Sequence, residues 1–303
     1  DLHRFLNTMT KNNLKYVTME VASQATKLDR VFGMHYDIGA FLNIGEDHIS
    51  PIEHDDFNDY LNCKIEFLTM CDKVIIYKQT DYYDEIIEKV KDKEIITYGI
   101  TSDCDYYVKD VTPYKDKITF NVVHNNEEES YYITMKGTFN CLNATCAMIM
   151  AKLLGATQES IQKGLSETHV EGRMEVIEDS VGPIVVDFAH NRISADAFYK
   201  SIEDTYKGKR IVSVFGCPGG RGMHRRRDMG TCAGEHADYI YLTADDPCGK
   251  SVTDICNDII TFIKPYNKPY EIIEDRKTAI IKALEERQPN DVLVIIGKGS
   301  EVY

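Results

Sequence analysis

The chain has 303 residues, of which 43% are hydrophobic and 28% charged, and its 35 basic and 49 acidic residues give a formal charge of −14. These values are typical of a soluble globular protein of one to three domains, and they argue against a broad nucleic-acid-binding surface, which needs positive potential. No apolar run approaches the roughly 20 residues of a membrane helix and no signal peptide opens the chain, so we expect a cytoplasmic protein without membrane contacts.

The first hundred residues alternate apolar strands with amphipathic helices, a pattern that predicts a parallel α/β sheet. Strands are expected at 16–21, 38–44, 73–77 and 95–98, with helices at 57–70 and 84–90. Residues 106–135 then alternate around the polar turn NNEEES (125–130), which predicts a small antiparallel section. Helices at 140–154, ended by Gly155, and at 159–165 complete this part.

A second α/β unit, Rossmann-like in its pattern, is expected to begin near Gly172. We therefore predict two domains, 1–171 and 172–303. The second should contain strands at 184–187, 210–215, 239–242 and 292–296, and helices at 194–206, 226–236, 252–263 and 277–287.

Polar or glycine residues follow all four strands of the second unit. The segments are 187–190, 216–220, 243–246 and 297–299. Ligands of open parallel sheets bind at the carboxyl ends of the strands, so these segments predict a binding site. The arginine-rich turn GCPGGRGMHRRR (216–227) suits an anion, although an exposed basic loop is the alternative. Residues 187–191 could bind a ribose, a base or a phosphate, or could form an Asx turn that starts a helix.

Acidic and imidazole side chains follow two strands of the first unit. Glu20 comes after the first of them and Glu46-Asp47-His48 after the second. Such groups at adjacent strand ends can hold Mg²⁺ or Mn²⁺, and loop capping is the alternative. The motif G-x-x-x-x-G-K-[ST] is absent, so a triphosphate site of the P-loop type would be incomplete in this chain.

The nine cysteines are scattered, and none forms a C-x-x-C pair. This usage fits reduced thiols better than a disulfide framework or a zinc site. Cys217 lies in the glycine-rich turn, but no partner pattern for a nucleophile accompanies it.

Ten motifs together resemble the Mur ligase family, and within it the UDP-N-acetylmuramyl-tripeptide synthetase type. Their order and spacing hold over essentially the whole length, which makes the resemblance highly specific. The motifs are MEVASQA (19–25), EDHIS (46–50), YLNCK (60–64), GTFNCLN (137–143), GRME (172–175), DFAHNR (187–192), FGCPGGRG (215–222) with the following arginines to 226, ADDP (244–247), DRKTAI (275–280) and GKGSE (297–301).

The resemblance implies an ATP-dependent ligase of peptidoglycan precursor synthesis, and hence of cell-wall biogenesis, cell shape and cell division. Such an enzyme forms an acyl phosphate that an amine attacks. By this resemblance, Glu20 and His48 would hold Mg²⁺ (or Mn²⁺), and Lys64 would be the carbamylated lysine that adds an anionic ligand. The residues implied to bind ATP are Asn140, Asn143, Arg173, Asp187, His190 and Asn191. Those implied to face the substrates are Arg221, Arg226, Asp245, Asp246, Gly297 and Glu301.

The implied partners are small molecules only, namely a nucleotide-linked peptide acid and an amino acid. The protein itself is expected to be a monomer. Departures from the family pattern at Ala22, Gln24, Ser50, Asn191, Arg192, Gly220, Gly222 and Ser300 leave room for another acid acceptor. The family's D-N-P-R reads Asp245-Asp246-Pro247-Cys248, which removes the arginine associated with diaminopimelate and favours lysine or another amine.

The family's phosphate loop and uridine-binding domain would precede Asp1, so we expect this chain alone to be weak or inactive. Asp47 is expected to orient His48 or its loop. Two alternatives remain open: a Mur-like ligase with a different acceptor, and a non-catalytic module that binds a nucleotide or a partner subunit. Retention of Glu20, His48 and Lys64 together argues against the second.

Overall fold

The computed structural model describes residues 2–299, which build two six-stranded sheets. The N-terminal region, up to residue 167, contains α1 (Leu2–Lys11), α2 (Ser23–Lys27), β1 (Tyr36–Phe41), α3 (Phe57–Thr69), β2 (Cys71–Tyr77), α4 (Tyr83–Lys89), β3 (Glu94–Gly99), β4 (Tyr106–Pro113), β5 (Ile118–His124), β6 (Glu127–Ile133), α5 (Asn140–Leu153) and α6 (Gln158–Glu167).

The first sheet has the strand order β1-β2-β3-β4-β5-β6. Pairing is parallel from β1 to β4 and antiparallel from β4 to β6, which confirms the predicted parallel sheet with an antiparallel section. Side chains alternate across a strand, so successive residues of β2 pack into two different hydrophobic cores on opposite faces of the sheet. Val74 and Ile76 pack with residues of α3 and α4, whereas Ile75 packs with residues of α5.

The prediction of a strand at residues 16–21 is wrong. These residues form no strand, and Tyr16, Val17 and Met19 are 64%, 49% and 36% exposed. A strand needs a hydrogen-bonded neighbour, and within residues 2–299 β1 pairs with β2 alone. The next predicted strand, 38–44, forms but is shifted toward the N-terminus, as Tyr36–Phe41.

The C-terminal region carries the second sheet. Its elements are β7 (Glu175–Glu178), β8 (Pro183–Asp187), α7 (Arg192–Thr205), β9 (Arg210–Phe215), α8 (His224–His236), β10 (Tyr239–Leu242), α9 (Val252–Ile263), a 3-10 turn (Lys264–Tyr266), β11 (Tyr270–Ile272), α10 (Arg276–Glu286) and β12 (Asp291–Ile296). The strands lie in the order β11-β10-β9-β12-β8-β7, and only β7 runs antiparallel to its neighbour.

The central position of β12 explains its composition. All six of its residues (DVLVII) are buried, as expected for a parallel strand covered by helices on both faces. The strands β10, β9, β12 and β8 are neighbours, so their carboxyl ends meet at one edge of the sheet. Among the described residues, every helix is too short or too polar to span a lipid bilayer.

Candidate active site

A cleft opens at the carboxyl ends of the four neighbouring strands of the second sheet. Five of the residues singled out in the sequence line it together: His190, Arg221, Asp245, Asp246 and Gly297. Four further residues complete its lining: Phe188, Pro218, Arg225 and Lys298. The strand ends that the sequence marked as polar therefore do converge, as the rule for open parallel sheets predicts.

Glycines let the loop after β9 lie directly against the loop after β10. A Cβ atom on Gly216 would lie 2.1 Å from the Thr243 carbonyl oxygen, and one on Gly219 would lie 1.8 Å from that of Pro247. Both contacts are with backbone, which has little room to move. The glycines thus bring the arginine-rich loop to the acidic segment that lines the other side of the cleft.

The cleft carries charges of both signs. Lys298 Nζ lies 3.4 Å from Asp245 Oδ1, and Arg221 Nη2 lies 3.5 Å from Asp246 Oδ2. Burial raises the pKa of Asp245, against the opposing effect of the nearby Lys298 and Arg276 cations. Two loosely paired acids and two loosely paired cations in one cleft match an amino acid, which presents an ammonium and a carboxylate together.

Arg226 lies beneath the arginine-rich loop and only 4% of its surface is exposed. Its Nη1 is 2.5 Å from Asp258 Oδ2, and its Nη2 donates to the carbonyl oxygens of Pro218 (3.2 Å) and Gly219 (3.0 Å). The guanidinium therefore supports the loop from behind. The neighbouring Arg225, which sequence reasoning did not single out, is the one that lines the cleft.

We expect Arg226→Gln to lower the free energy of unfolding by about 2–4 kcal/mol, because two loop carbonyls and part of a charge pair lose their partner. Arg221→Gln is the control, since Arg221 is 45% exposed and, within residues 2–299, pairs with Asp246 alone, at 3.5 Å. Its loss should cost less than about 1 kcal/mol. Urea unfolding of both variants measures the difference, and equal losses would contradict the supporting role.

Asp47 joins the N-terminal region to the C-terminal region. Its side chain is 5% exposed. Arg225 Nε donates to Oδ1 at 2.8 Å and Asn191 Nδ2 donates to Oδ2 at 3.1 Å. His190 Nε2 lies 3.5 Å from Oδ2 and His224 Nε2 lies 3.3 Å from Oδ1. Burial alone would raise the pKa of Asp47, but these imidazoles and the Arg225 guanidinium hold that pKa far below its ordinary range.

His48 adopts a left-handed backbone conformation, with φ of +58°. Its backbone N–H donates to Asp47 Oδ1 at 2.8 Å, in line with the expectation that Asp47 orients this loop. Nδ1 lies 3.0 Å from Glu53 Oε1, and Ser50 Oγ donates to the other oxygen of that carboxylate at 2.9 Å. The ring is thus fixed through Nδ1, and Nε2, which lies 3.9 Å from Asp47 Oδ2, is the nitrogen that could bind a ligand.

Lys64 lies one helical turn after Tyr60 on α3, with Nζ 5.2 Å from the centre of the Tyr60 ring. The His48 ring packs near the same tyrosine, with 5.6 Å between ring centres. Within residues 2–299, no carboxylate lies at ion-pair distance from Lys64 Nζ. Burial lowers the pKa of Lys64, while Glu20 and Asp47 oppose that shift from farther away. Glu20 itself is exposed in the irregular segment before α2.

The residues predicted to bind the nucleotide lie around the junction of the two regions. Asn140 begins α5, where its Nδ2 donates to the Lys136 carbonyl (2.6 Å) and its Oδ1 accepts from Asn143 Nδ2 (2.9 Å). The preceding Phe139 packs against the core of the second sheet. The start of α5 therefore faces the C-terminal region.

On the C-terminal side, Asp187 fixes the turn that carries Arg173. Its carboxylate accepts the backbone N–H of Met174 (2.8 Å) and of Ala189 (2.7 Å), and the Arg173 guanidinium lies 4.3 Å from the centre of the Phe188 ring. Asn191 caps the N-terminus of α7 by accepting from the Ser194 N–H. Glu301, the remaining predicted residue, lies outside the described residues.

A buried histidine that sequence reasoning missed joins two parts of the N-terminal region. His54 is completely buried, with Nε2 2.9 Å from Ser23 Oγ and Nδ1 3.0 Å from Asp59 Oδ2. Lys27 Nζ contacts the same Asp59 oxygen at 2.5 Å. These contacts attach α2 to α3. Little in the sequence indicates that His54 is buried, because the following residues, Asp55 and Asp56, are typical of an exposed turn.

Comparison with known proteins identifies relatives along the whole chain. The Mur ligase middle domain matches residues 1–151, and the Mur ligase glutamate ligase domain matches residues 172–299. A UDP-N-acetylmuramyl-tripeptide synthetase of Ligilactobacillus salivarius is 32% identical over 100% of this chain and 63% of its own. A UDP-N-acetylmuramoyl-L-alanyl-D-glutamate–L-lysine ligase of Enterococcus faecalis is 33% identical over 100% of this chain and 61% of its own.

A solved UDP-N-acetylmuramoyl-L-alanyl-D-glutamate–2,6-diaminopimelate ligase shares the fold, with a TM-score of 0.58 and 26% identity over 94% of this chain and 59% of that one. The chain thus spans about three-fifths of the length of the proteins that it matches.

Proposed function

Because the chain belongs to the Mur ligase family, we propose that it acts in ATP-dependent amide formation between a UDP-muramyl peptide and an amino acid, in peptidoglycan precursor synthesis. The observation that carries the proposal is the mixed-charge cleft beside Asp47, His48 and the arginine-rich loop. One wall suits an incoming amino acid, and the junction next to it holds the residues expected to bind nucleotide and metal.

The proposed reaction has two steps. A carboxylate oxygen of the peptide attacks the γ-phosphorus of ATP, and ADP leaves. The amine of the amino acid then attacks the acyl carbon, and phosphate leaves with the proton that the amine loses as the amide bond forms. Cations that line the cleft, Arg221 and Arg225 among them, would neutralise the two anionic reactants and hold them in line.

Because a carbamate would supply oxygen ligands, Glu20, His48 and Lys64 could together bind a Mg²⁺ ion if Lys64 is carbamylated. Its half-buried amine has a lowered pKa, so more of it is neutral and able to add CO₂ with loss of a proton. The resulting carbamate oxygens, with Glu20 and His48 Nε2, would then hold the ion. Bound there, Mg²⁺ would offset the negative charge of the phosphates.

L-Lysine is the amino acid that we propose. The Enterococcus faecalis relative is named for L-lysine. In this chain Cys248 follows the Asp245-Asp246-Pro247 segment, so no arginine there can pair with the distal carboxylate of diaminopimelate. Asp246 instead adds a half-exposed negative charge at the cleft, which suits a side-chain ammonium.

We further propose that the protein works in the cytoplasm as a monomer, with small-molecule partners only. The nucleotide would contact Asn140, Asn143, Arg173, Asp187, His190 and Asn191, and the domain boundary would lie near Gly172. Arg226 would act through the loop that it supports, as its buried contacts indicate.

Phosphate release from ATP tests the proposal in the product of the complete reading frame. We expect release to require Mg²⁺, the UDP-muramyl dipeptide and L-lysine together, with a tripeptide product of the matching mass. Turnover only with another carboxylic acid would show that the acceptor is that acid and not the UDP-muramyl dipeptide. Absence of turnover with every acid and amino acid tested would refute a ligase function.

A further inference from the structure

We propose that Asp47 is a positioning residue, a buried latch that ties the loop bearing His48 to two residues of the amino-acid cleft. The latch is a property of the fold. Its effect on amide formation rests on the proposed ligase function, so the experiments below separate the two.

The contacts of Asp47 come from three separate segments. His48 belongs to its own loop, His190 and Asn191 lie at the start of α7, and His224 and Arg225 open α8. Among the described residues, the partners other than His48 belong to the C-terminal region; His48 contributes its N–H and, at 3.9 Å from Oδ2, its Nε2. One carboxylate therefore connects the loop after β1 with the loops after β8 and β9.

The two regions also approach closely beside Asp47. A Cβ atom on Gly45 would lie 2.4 Å from Cδ1 of Ile193. A side chain at position 45 would thus have to displace Ile193 at the start of α7. Because Ile193 is 38% exposed and its side chain can move, the 5% exposed carboxylate of Asp47 is the more restrictive contact between the two regions.

Two of the latch partners, His190 and Arg225, also line the mixed-charge cleft. Arg225 Nε donates to Asp47 Oδ1 at 2.8 Å and Nη2 lies 2.7 Å from the same oxygen, so the guanidinium is held against the carboxylate. The same carboxylate accepts the backbone N–H of His48, a proposed metal ligand. Movement of the metal-side loop and placement of the cleft cations are therefore coupled through one side chain.

The neighbouring residue provides a matched control. Glu46 also reaches across the junction, to Arg227 Nη2 at 2.8 Å, but both side chains of this pair are 50% exposed. An exposed pair contributes little, because water competes for both charges. Substitution of Glu46 therefore removes a cross-region ion pair of the same kind without disturbing the buried latch.

Hydrogen–deuterium exchange of the full-length protein tests the latch without reference to activity. In Asp47→Asn, we expect exchange to rise about ten-fold or more at the backbone amides of residues 45–48 and 190–194, since a buried charged acceptor is lost. In Glu46→Gln the same amides should stay within about two-fold of wild type. Equal exchange in Asp47→Asn and Glu46→Gln would overturn the latch.

Arg225→Gln removes the same contact by changing the donor instead of the acceptor. It therefore still tests the latch if Asp47→Asn does not fold. It should raise exchange at residues 45–48, although Arg225 lies far away in sequence. The double variant should add no more than about two-fold to the larger single effect, because both changes break one interaction. Independent, multiplicative effects would refute a shared contact.

We expect loss of the latch to lower kcat without changing the KM for ATP to the same extent. In Asp47→Asn, kcat for tripeptide formation should fall about 100-fold or more while the KM for ATP changes less than about three-fold, as expected when alignment is lost but binding remains. Raised exchange in a protein whose wild type makes no amide would leave the latch standing and reject the ligase function. Raised exchange with an unchanged kcat would reject the positioning role.

Discussion

Lys64→Ala is expected to lower the rate of ATP-dependent amide formation by about 1,000-fold or more in the full-length protein. The amine is half-buried, lies against the Tyr60 ring, and has no carboxylate at ion-pair distance within residues 2–299. A lysine kept in this position only as a cation would gain from such a partner. Conversion to a carbamate instead supplies the anionic oxygens that the proposed metal needs.

Matched variants separate this role from a general effect of charge. Lys64→Arg keeps the positive charge but cannot form the carbamate, so it should be as inactive as alanine. Acetate or formate should partly restore Lys64→Ala, because a free carboxylate can occupy the space left by the side chain, and should leave Lys64→Arg inactive. Lys89→Ala removes an exposed lysine of α4 and should keep wild-type activity. Wild-type rates in Lys64→Ala would contradict the assignment.

Asp246→Asn is expected to raise the KM for L-lysine about ten-fold or more while the KM for ATP stays within about two-fold. Asp246 lines the cleft and pairs with Arg221 only at 3.5 Å, so its charge remains available to a side-chain ammonium. Loss of that charge weakens the binding of a cation and leaves the nucleotide contacts intact.

Two comparisons make this test specific. Asp254→Asn removes an exposed acid at the start of α9, outside the cleft, and should leave both KM values unchanged. Cys248→Arg restores an arginine after Asp-Asp-Pro and should shift the preference from L-lysine toward diaminopimelate. Steady-state kinetics with both amino acids measures the shift. An unchanged KM for L-lysine in Asp246→Asn would place the side chain of the substrate elsewhere.

Much of the fold could be predicted because its strands are buried on both faces. The run VLVII of β12 and the run VIIY of β2 are apolar without interruption, which is typical of central parallel strands. The segment 16–21 is as apolar as a real strand, yet it lies exposed. Composition measures the tendency of a segment to form a strand, whereas a strand also needs a neighbour. The short strands β7 and β11, of four and three residues, carry too little periodicity to be recognised.

The site was predicted less completely, for a different reason. Strand ends identified the edge of the sheet, and five of the residues predicted there line one cleft: His190, Arg221, Asp245, Asp246 and Gly297. The sequence RRR (225–227) could not show which guanidinium faces the cleft. Adjacent residues of a helix point about 100° apart, and the direction depends on packing. Arg225 faces Asp47, whereas Arg226 turns under the loop.

The role of Asp47 could not be read from sequence either. Its partner Arg225 lies 178 positions away, and only the folded junction brings the two together. Sequence reasoning assigned Asp47 to its nearest neighbour, His48, and that contact is present. The larger part of its environment comes from the C-terminal region.

The transfer of oxygen from the acceptor to phosphate tests the central claim most directly. The UDP-muramyl dipeptide is labelled with ¹⁸O in its acceptor carboxylate and incubated with ATP, Mg²⁺ and L-lysine, and the released phosphate is analysed by mass spectrometry. An acyl phosphate transfers one carboxylate oxygen, so we predict one ¹⁸O atom in each phosphate and one in each amide. Tripeptide formation that releases only unlabelled phosphate would contradict the account.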